Sequence, residues 1–567
     1  MNTGSSIPSR NNKYSFILIS LLAALAIQAI PVLFKSWMDN VFSLDFHGWS
    51  ILASLTLLQM AVTTLPRRIG ALCGGAVIIL GFLMSLPNVM NIGIFKSPIS
   101  IITFATTLHS NVSETTEFLN TYGYSLALTS GLYLILGLVV TLLYFRTARP
   151  QTLKPTLFLM SLALVATLPS LLRSGGQLKQ VALDFHELAY VDRLATTFTR
   201  YQGVMQAREK ARTFWKQRSE ARNPLELRHT KPKLPSLVVV VIGESTTRRH
   251  MGIYGYHRPT TPSLESMKDR LVVFTQGTAP VASTLPGVIG AFCSRGFDPA
   301  SLHCEGPTMI EIARAAGYKT TWISNQAPSG FGDNFIVELG RTTDTTYFVN
   351  QDVSSAGEAD NSSSFDEKVL DPLHQVIDAS QKTGEKQMIF VHLMGTHFIY
   401  EKRYPKAERR FTDTDDIPIP NAARDAKARS IINHYDNAVA YQDKVLGSIM
   451  DRLNAAAQDS LFVYFSDHGE EVYNSDNFAG HSEDRVTPAM REVPFIIGYS
   501  QAHAAQESEE LQFLRQKAAK PFSTFQLTPT VAGLLGLEGS AWNARDNIVE
   551  GMRASSSSRS GPPYLQK

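Results

Sequence analysis

The chain has 567 residues, 44% hydrophobic and 18% charged, with a net charge of +3. That length exceeds one ordinary domain, and so small a net charge excludes a polyanion binder acting through bulk charge, so no nucleic-acid partner is expected. A mean hydropathy near zero conceals two unlike parts, a very apolar first third and a mixed remainder.

Residues 1–13 are polar and contain Arg10 and Lys13; Tyr14 to Phe34 is then apolar without a charge, long enough to cross hydrocarbon. No small-residue cleavage signal follows, so this stretch reads as an anchor. Four more spans are expected at Trp49–Leu65, Gly70–Leu86 with a possible extension to Phe95, Tyr124–Phe145 and Thr156–Leu172. Arg10 and Lys13, Arg67 and Arg68, and Arg146, Arg149 and Lys154 occupy alternate flanks, whereas the other loops carry Asp39, Asp45, Glu114 and Glu117. The basic flanks belong inside, which places everything after the fifth span outside, in the periplasm of a Gram-negative cell. Cys73, within an apolar span, reads as a packing residue. The polar loop from Ser97 to Tyr122, with Asn111 and Glu114, is either a solvated connector or a surface that meets a lipid headgroup.

Residues 174–235 form a bridge. Arg200 to Arg222 is basic with a helical period and interleaves Tyr201, Val204, Met205 and Phe214. Such a helix either lies along anionic headgroups or links as a solvated helix. Lys231-Pro-Lys-Leu-Pro235 marks its end.

From Ser236 onward strands and helices alternate. Strands are predicted at Leu237–Ile242, Leu271–Phe274, Thr320–Ile323, Met388–His392, Leu461–Phe465 and Val493–Ile497. Helices are predicted at Met309–Ala316, Asp366–Ser380 and Arg429–Leu453. The pattern is that of an α/β domain with a largely parallel sheet. The apolar run from Leu237 reads as a strand buried on both faces, and Glu244 follows it directly. At the carboxyl end of a strand that carboxylate either holds a metal ion or caps a helix. The run from Leu461 likewise ends in Asp467-His468-Gly469, one oxygen and one nitrogen donor that suit zinc. Two strands delivering Glu and Asp-His to one sheet edge favour the metal.

Between them, Thr278 to Phe292 has small polar residues before an apolar run, so a helix is expected to begin near Ser283 or Thr284. A hydroxyl there has backbone N–H groups around it, suited to a phosphate oxyanion, and a neighbouring dication would activate it as a nucleophile. Alternatively Thr284 is only an N-cap. Cys293 and Cys304 form a disulfide if this part faces an oxidising compartment and are separate thiols otherwise. His392, inside a strand, reads as a satisfied core histidine. His397 follows the strand ending at His392, and His481 lies shortly after Asp467-His468; both are candidates for binding phosphate or donating a proton. The Ser/Arg-rich end reads as a disordered tail.

Four stretches carry a family resemblance: Val241-Ile-Gly-Glu-Ser-Thr-Thr-Arg248, Tyr254-Gly-Tyr-His-Arg-Pro-Thr-Thr-Pro262, Trp322-Ile-Ser-Asn-Gln326 and Val463-Tyr-Phe-Ser-Asp-His-Gly-Glu-Glu-Val-Tyr473. With them the chain resembles the membrane phosphoethanolamine transferases of the alkaline phosphatase and sulfatase superfamily, most closely the branch acting on the lipopolysaccharide core heptose. The resemblance covers nearly the whole chain. It implies an N-terminal bundle of five transmembrane helices followed by a soluble α/β alkaline phosphatase/sulfatase-like domain: 1–173 in the inner membrane, 174–235 interfacial, 236–552 catalytic and periplasmic, 553–567 a disordered tail.

It further implies one zinc ion, with a second possible, held by Glu244, Asp467 and His468 with Thr284 as nucleophile and fourth ligand. His397 and His481 would contact substrate phosphate or a second zinc, and Asn111 and Glu114 would face the donor headgroup. The implied partners are phosphatidylethanolamine, a lipopolysaccharide-type acceptor and membrane lipids; a lipid A acceptor would connect the chain to polymyxin resistance. Relatives that modify lipid A carry cysteines around the nucleophile, whereas this segment reads Ala-Ser-Thr-Leu-Pro-Gly with Cys293 nearby, which leaves Ser283 as a second choice. A glycerol-phosphate transferase shares the scaffold and a threonine nucleophile. A sulfatase-type hydrolase fits less well, because Thr284-Leu-Pro-Gly lacks the convertible Cys or Ser and the arginine of that motif.

Overall fold

The computed structural model describes residues 67–95, 112–147 and 225–550, the last with gaps at 327–333, 351–363, 413–416, 418–424, 484 and 507, together with Gln206, Glu209 and Thr213. The chain divides into two compact bodies: Met1–Leu108 with Val112–Gly203, and His109–Asn111 with Val204–Lys567. The spans expected at Tyr14–Phe34, Trp49–Leu65 and Thr156–Leu172, and the tail, lie outside the described residues.

In the first body α1 (Arg67–Phe95) and α2 (Val112–Thr147) run 29 and 36 residues, each longer than the roughly 20 residues that cross a bilayer. Within α2, Tyr122–Arg146 is long and apolar enough to span a membrane, while the apolar stretch Ala71–Leu80 of α1 is shorter. The two helices meet through Ile78, Phe82 and Val89 on one side and Tyr133, Val140 and Tyr144 on the other. Gly74 permits this approach: a Cβ there would lie 1.7 Å from the Tyr144 hydroxyl oxygen. Small residues play that role wherever apolar helices pack without a hydrophobic driving force. Leu72, Leu80 and Leu83 of α1 and Leu128, Leu132, Ile135 and Leu142 of α2 are exposed. Cys73 is exposed rather than packed.

Gln206, Glu209 and Thr213 are helical and exposed, with the Thr213 hydroxyl bonded back to the Glu209 carbonyl at 2.9 Å. They fall within the helix expected over Arg200–Arg222, the remainder of which is outside the described residues.

The second body is built on a seven-stranded sheet. Its strands are β1 (Leu237–Gly243), β2 (Leu271–Val273), β3 (Lys319–Ser324), β4 (Thr345–Phe348), β5 (Gln387–His392), β6 (Ser460–Ser466) and β7 (Phe495–Tyr499), in the order β2-β7-β6-β1-β5-β3-β4. The pairs β6–β1, β1–β5, β5–β3 and β3–β4 are parallel, and β7 runs antiparallel to both β6 and β2. All of β1 is buried, as a central strand covered on both faces must be.

Alternation along the strands sends side chains into two cores. Val238, Val240, Ile242, Phe390 and Phe465 pack with α3 (Thr284–Phe292), α4 (Met309–Ala315) and α7 (Leu527–Leu534). Val239, Val241, Ile389, Val391 and Tyr464 pack on the opposite face with α5 (Leu370–Thr383) and α6 (Ala426–Ala455). Cys293, directly after α3, is joined to Cys304 by a disulfide. The expected strand from Val493 begins two residues later and continues to Tyr499, and β4 was not anticipated; its side chains are only half-buried, so its apolar signal is weak.

Candidate active site

Strand register brings the chemistry together. Gly243 of β1 pairs with Ser466 of β6, so Glu244 and Asp467 leave adjacent strands at the same edge. The chain then turns sharply: Ser245 adopts a left-handed φ of 56°, an unfavourable conformation for a residue with a Cβ. It is held there from two sides. Its amide donates to Asp467 Oδ1 at 3.1 Å, and its carbonyl accepts from the buried Tyr435 hydroxyl at 2.8 Å. Helix α3 comes in over this edge because Gly287 lets it: a Cβ there would lie 2.6 Å from the Asp467 carbonyl oxygen.

Glu244, Asp467 and His468 are fully buried, and their ligand atoms lie within 4.8 Å of one another. Asp467 divides its oxygens. Oδ1 accepts from the Ser245 and His468 amides and from the Ser466 hydroxyl, whereas Oδ2 has no hydrogen-bond partner among the described residues. His468 Nδ1 lies 2.8 Å from the Gly469 carbonyl oxygen. Donation there fixes the tautomer and leaves Nε2 as a ligand, 3.5 Å from both Glu244 Oε1 and Asp467 Oδ2.

The electrostatics of these three groups suit a cation. Burial, and then the charge of Glu244, push the Asp467 carboxyl well above the usual range. Glu244 is held well below it in spite of burial, through the hydrogen bond and charge of His468. Burial would lower His468, but Asp467 and Glu244 raise it to about 10. Two buried acidic groups that share proton and charge with one imidazole form a set that a dication would complete, and two oxygens with one imidazole nitrogen suit zinc.

Thr284 opens α3, as expected, and its hydroxyl donates to Glu244 Oε1 at 3.1 Å while lying 3.3 Å from His468 Nε2. Ser283 faces another way: its hydroxyl donates to Glu483 Oε1 at 3.0 Å. Of the two hydroxyls, only that of Thr284 meets the cluster.

His481 Nδ1 is 2.7 Å from Glu470 Oε2, and its ring centroid is 4.1 Å from that of His468. His468, Glu470 and His481 therefore form a second group with ligand atoms within 4.8 Å. Tyr400 donates to the other Glu470 oxygen at 2.7 Å. His397 follows β5 on a loop anchored by buried Asp366, which accepts from the Met394 and Gly395 amides at 2.8 Å each. Burial drives the His397 imidazole down to about 4, against the pull of Glu244, so it is neutral at physiological pH.

His392 is buried as expected, but not satisfied: Nε2 has no partner among the described residues. Asn111 lies outside the described residues, and Glu114 stands in the first turn of α2 in the other body. Sequence reasoning did not single out Glu470, Glu483 or Gln326. Gln326 donates to Glu244 Oε2 at 3.3 Å and closes the motif that begins at Trp322, which was the available signal for it.

A mainly parallel sheet that gathers carboxylates and imidazoles beside a helix-borne hydroxyl is the architecture of the alkaline phosphatase and sulfatase superfamily. The chain belongs to the sulfatase family, whose model matches residues 236–537, and the expected resemblance to phosphoethanolamine transferases holds. Phosphoethanolamine transferase EptC of Escherichia coli (strain K12) is 29% identical over 467 residues, spanning 80% of this chain and 78% of its own. The crystal structure of the C-terminal periplasmic domain of EptC from Escherichia coli, a complex with Zn, superposes with a TM-score of 0.52 at 30% identity, over 58% of this chain and 90% of that one. The integral membrane lipooligosaccharide phosphoethanolamine transferase A of Neisseria meningitidis aligns over 94% of this chain and 97% of its own with a TM-score of 0.61. At 19% identity, that likeness is one of fold.

Proposed function

We propose that the chain transfers phosphoethanolamine from phosphatidylethanolamine to a lipopolysaccharide-type acceptor, core heptose or lipid A, at the outer face of a Gram-negative inner membrane. The observation that carries this reading is the Thr284 hydroxyl at the start of α3, 3.1 Å from Glu244 and 3.3 Å from His468. The transferase relatives support the substrate class, and the Cys293–Cys304 disulfide suits an oxidising compartment. In this reading five N-terminal spans, with Asn111 and Glu114 between them, hold the catalytic domain at the surface where the donor lipid resides.

Glu244, Asp467 and His468 would hold a zinc ion. Bound there, zinc would supply positive charge that lowers the pKa of the nucleophile and offsets charge developing on the phosphoryl oxygens. The Thr284 oxygen attacks the phosphorus of the donor, the bond from phosphorus to the glycerol oxygen breaks, and diacylglycerol leaves after taking up a proton. A phosphoethanolamine ester of Thr284 remains. An acceptor oxygen then attacks the same phosphorus, loses its proton, and restores the threonine. His397, neutral, donates a hydrogen bond to a phosphoryl oxygen, and His481, steadied by Glu470, is placed for proton transfer to the departing oxygen. Glu470 and His481 also offer donors for a second ion beside His468.

The test is mass spectrometry of the Thr284 peptide after incubation with phosphatidylethanolamine, in the native chain and in Thr284→Ala and Ser283→Ala. A phosphoethanolamine adduct on Thr284 is expected. A glycerol-phosphate adduct would assign the chain to polymer synthesis instead, and activity surviving in Thr284→Ala would remove the threonine from the mechanism.

A further inference from the structure

Ser283 is the N-cap of α3, yet it makes no capping hydrogen bond. An N-cap hydroxyl ordinarily accepts from the amide of the second or third helical residue. Here the third is Pro286, which has no N–H, so the Leu285 amide is the one donor a Ser283 cap could take. The Ser283 hydroxyl instead points away from the helix and donates to Glu483 Oε1 at 3.0 Å; the same oxygen accepts from the Ala282 amide at 2.6 Å. The Thr284 and Leu285 amides have no acceptor among the described residues. They belong to the first turn of the helix whose Thr284 hydroxyl reaches Glu244 and His468. Glu483 is half-exposed and stands two residues after His481, so one loop supplies both an imidazole at the cluster and the carboxylate that fixes this turn.

We propose that Glu483 is a positioning residue for phosphoryl transfer: by holding the Ser283 hydroxyl outward, it keeps the first amides of α3 open to the oxygens of a phosphoryl group at Thr284. This role rests on the phosphoryl-transfer reading above. Two acceptors compete for the Leu285 amide, the Ser283 hydroxyl and a phosphoryl oxygen, and Glu483 removes the first. The sign of the effect is diagnostic. A carboxylate near a phosphoryl group repels it, so if charge alone mattered, removing Glu483 would strengthen phosphate binding. If Glu483 acts through Ser283, removing it weakens binding, because the freed hydroxyl caps the helix.

The experiment is a double-mutant cycle in the full-length, zinc-loaded chain. Inorganic phosphate affinity is measured by calorimetry, and transfer is measured as kcat/KM with phosphatidylethanolamine in mixed micelles. Glu483→Ala is expected to weaken both by about fivefold, the scale of one capping bond. In a Ser283→Ala background, where no cap can form, the same change is expected to cost less than about twofold. Glu483→Gln, whose amide oxygen accepts the same two bonds, is expected to recover most of the loss.

Melting temperatures within about 2 °C of one another would exclude a general folding effect. Tighter phosphate binding in Glu483→Ala, or an equal loss in both backgrounds, overturns the proposal. A native chain that binds phosphate with the expected pattern but leaves the donor lipid intact would instead overturn the transferase reading while leaving Glu483 in its role.

Discussion

His397 shows how burial decides a role that residue type leaves open. A histidine beside a phosphoryl site reads naturally as a general acid, but burial lowers its pKa to about 4, below the ordinary 6.5 or so. The unfolded chain therefore binds the proton more readily between those values. The contribution of His397 to stability is present above about pH 6.5 and is lost as pH falls toward 4. Across pH 6 to 8 the group is neutral and donates without titrating. His397→Gln, a neutral donor, is expected to lower kcat about tenfold and His397→Ala about a hundredfold, with profiles of unchanged shape over that range. A limb near pH 6 to 7 that disappears in His397→Gln would show it titrating as an acid.

Residues whose type states their chemistry were legible in the sequence: Glu244 and Asp467-His468 at strand ends, and Thr284 before an apolar helix. Ser245, with its left-handed backbone, and Glu483, which acts on the turn before Thr284 from 200 positions away, were not. Neither backbone strain nor a contact between distant loops leaves a pattern along the chain.

At the scale of elements, α3 shows what such a pattern does carry. Its start near Thr284 was expected from the change of small polar residues to an apolar run. Its position over the strand ends depends on Gly287, which contacts the Asp467 carbonyl, and that contact has no sequence signature beyond a glycine in a helix. Gly287→Ala provides the test. Its Cβ would lie 2.6 Å from backbone oxygen, which cannot swing aside as a side chain would. The helix must lift, carrying Thr284 away from Glu244, or Asp467 must shift. We expect kcat to fall about a hundredfold, since small misplacements of a reacting group have effects of that size, with a loss of stability of about 1 to 3 kcal/mol. Activity close to that of the native chain would show that α3 adjusts without moving Thr284, the proposed nucleophile.

The strands were the most legible elements. β1, β5 and β6 form buried, mainly apolar runs, and β3 is buried from Thr320 onward around Trp322 and Ile323; their expected limits differ from the observed ones by about a residue. β4 escaped notice because its alternation is weak, and the reversal of β7 because direction is set by connections rather than by composition.

At the scale of the whole molecule, the two bodies have separate cores. α1 and α2 pack through their own aromatic contacts, while the second body closes both faces of its sheet with its own helices. The cluster of Glu244, Asp467, His468 and Thr284 lies entirely in the second, so the proposed metal binding and bond-making would belong there. In the proposed reading, access to a donor held in a bilayer would depend on anchoring, which raises the local concentration of enzyme at the lipid surface without altering the site. A chain limited to residues 225–550 is therefore expected to fold, to bind zinc in the same stoichiometry as the full chain, and to cleave a water-soluble phosphoethanolamine ester at a rate within about threefold of it. Its kcat/KM on phosphatidylethanolamine in vesicles should fall by at least about a hundredfold, the low end of what tethering contributes. Equal losses on the soluble and vesicle substrates would mean that the N-terminal body completes the catalytic site rather than delivering it to the membrane.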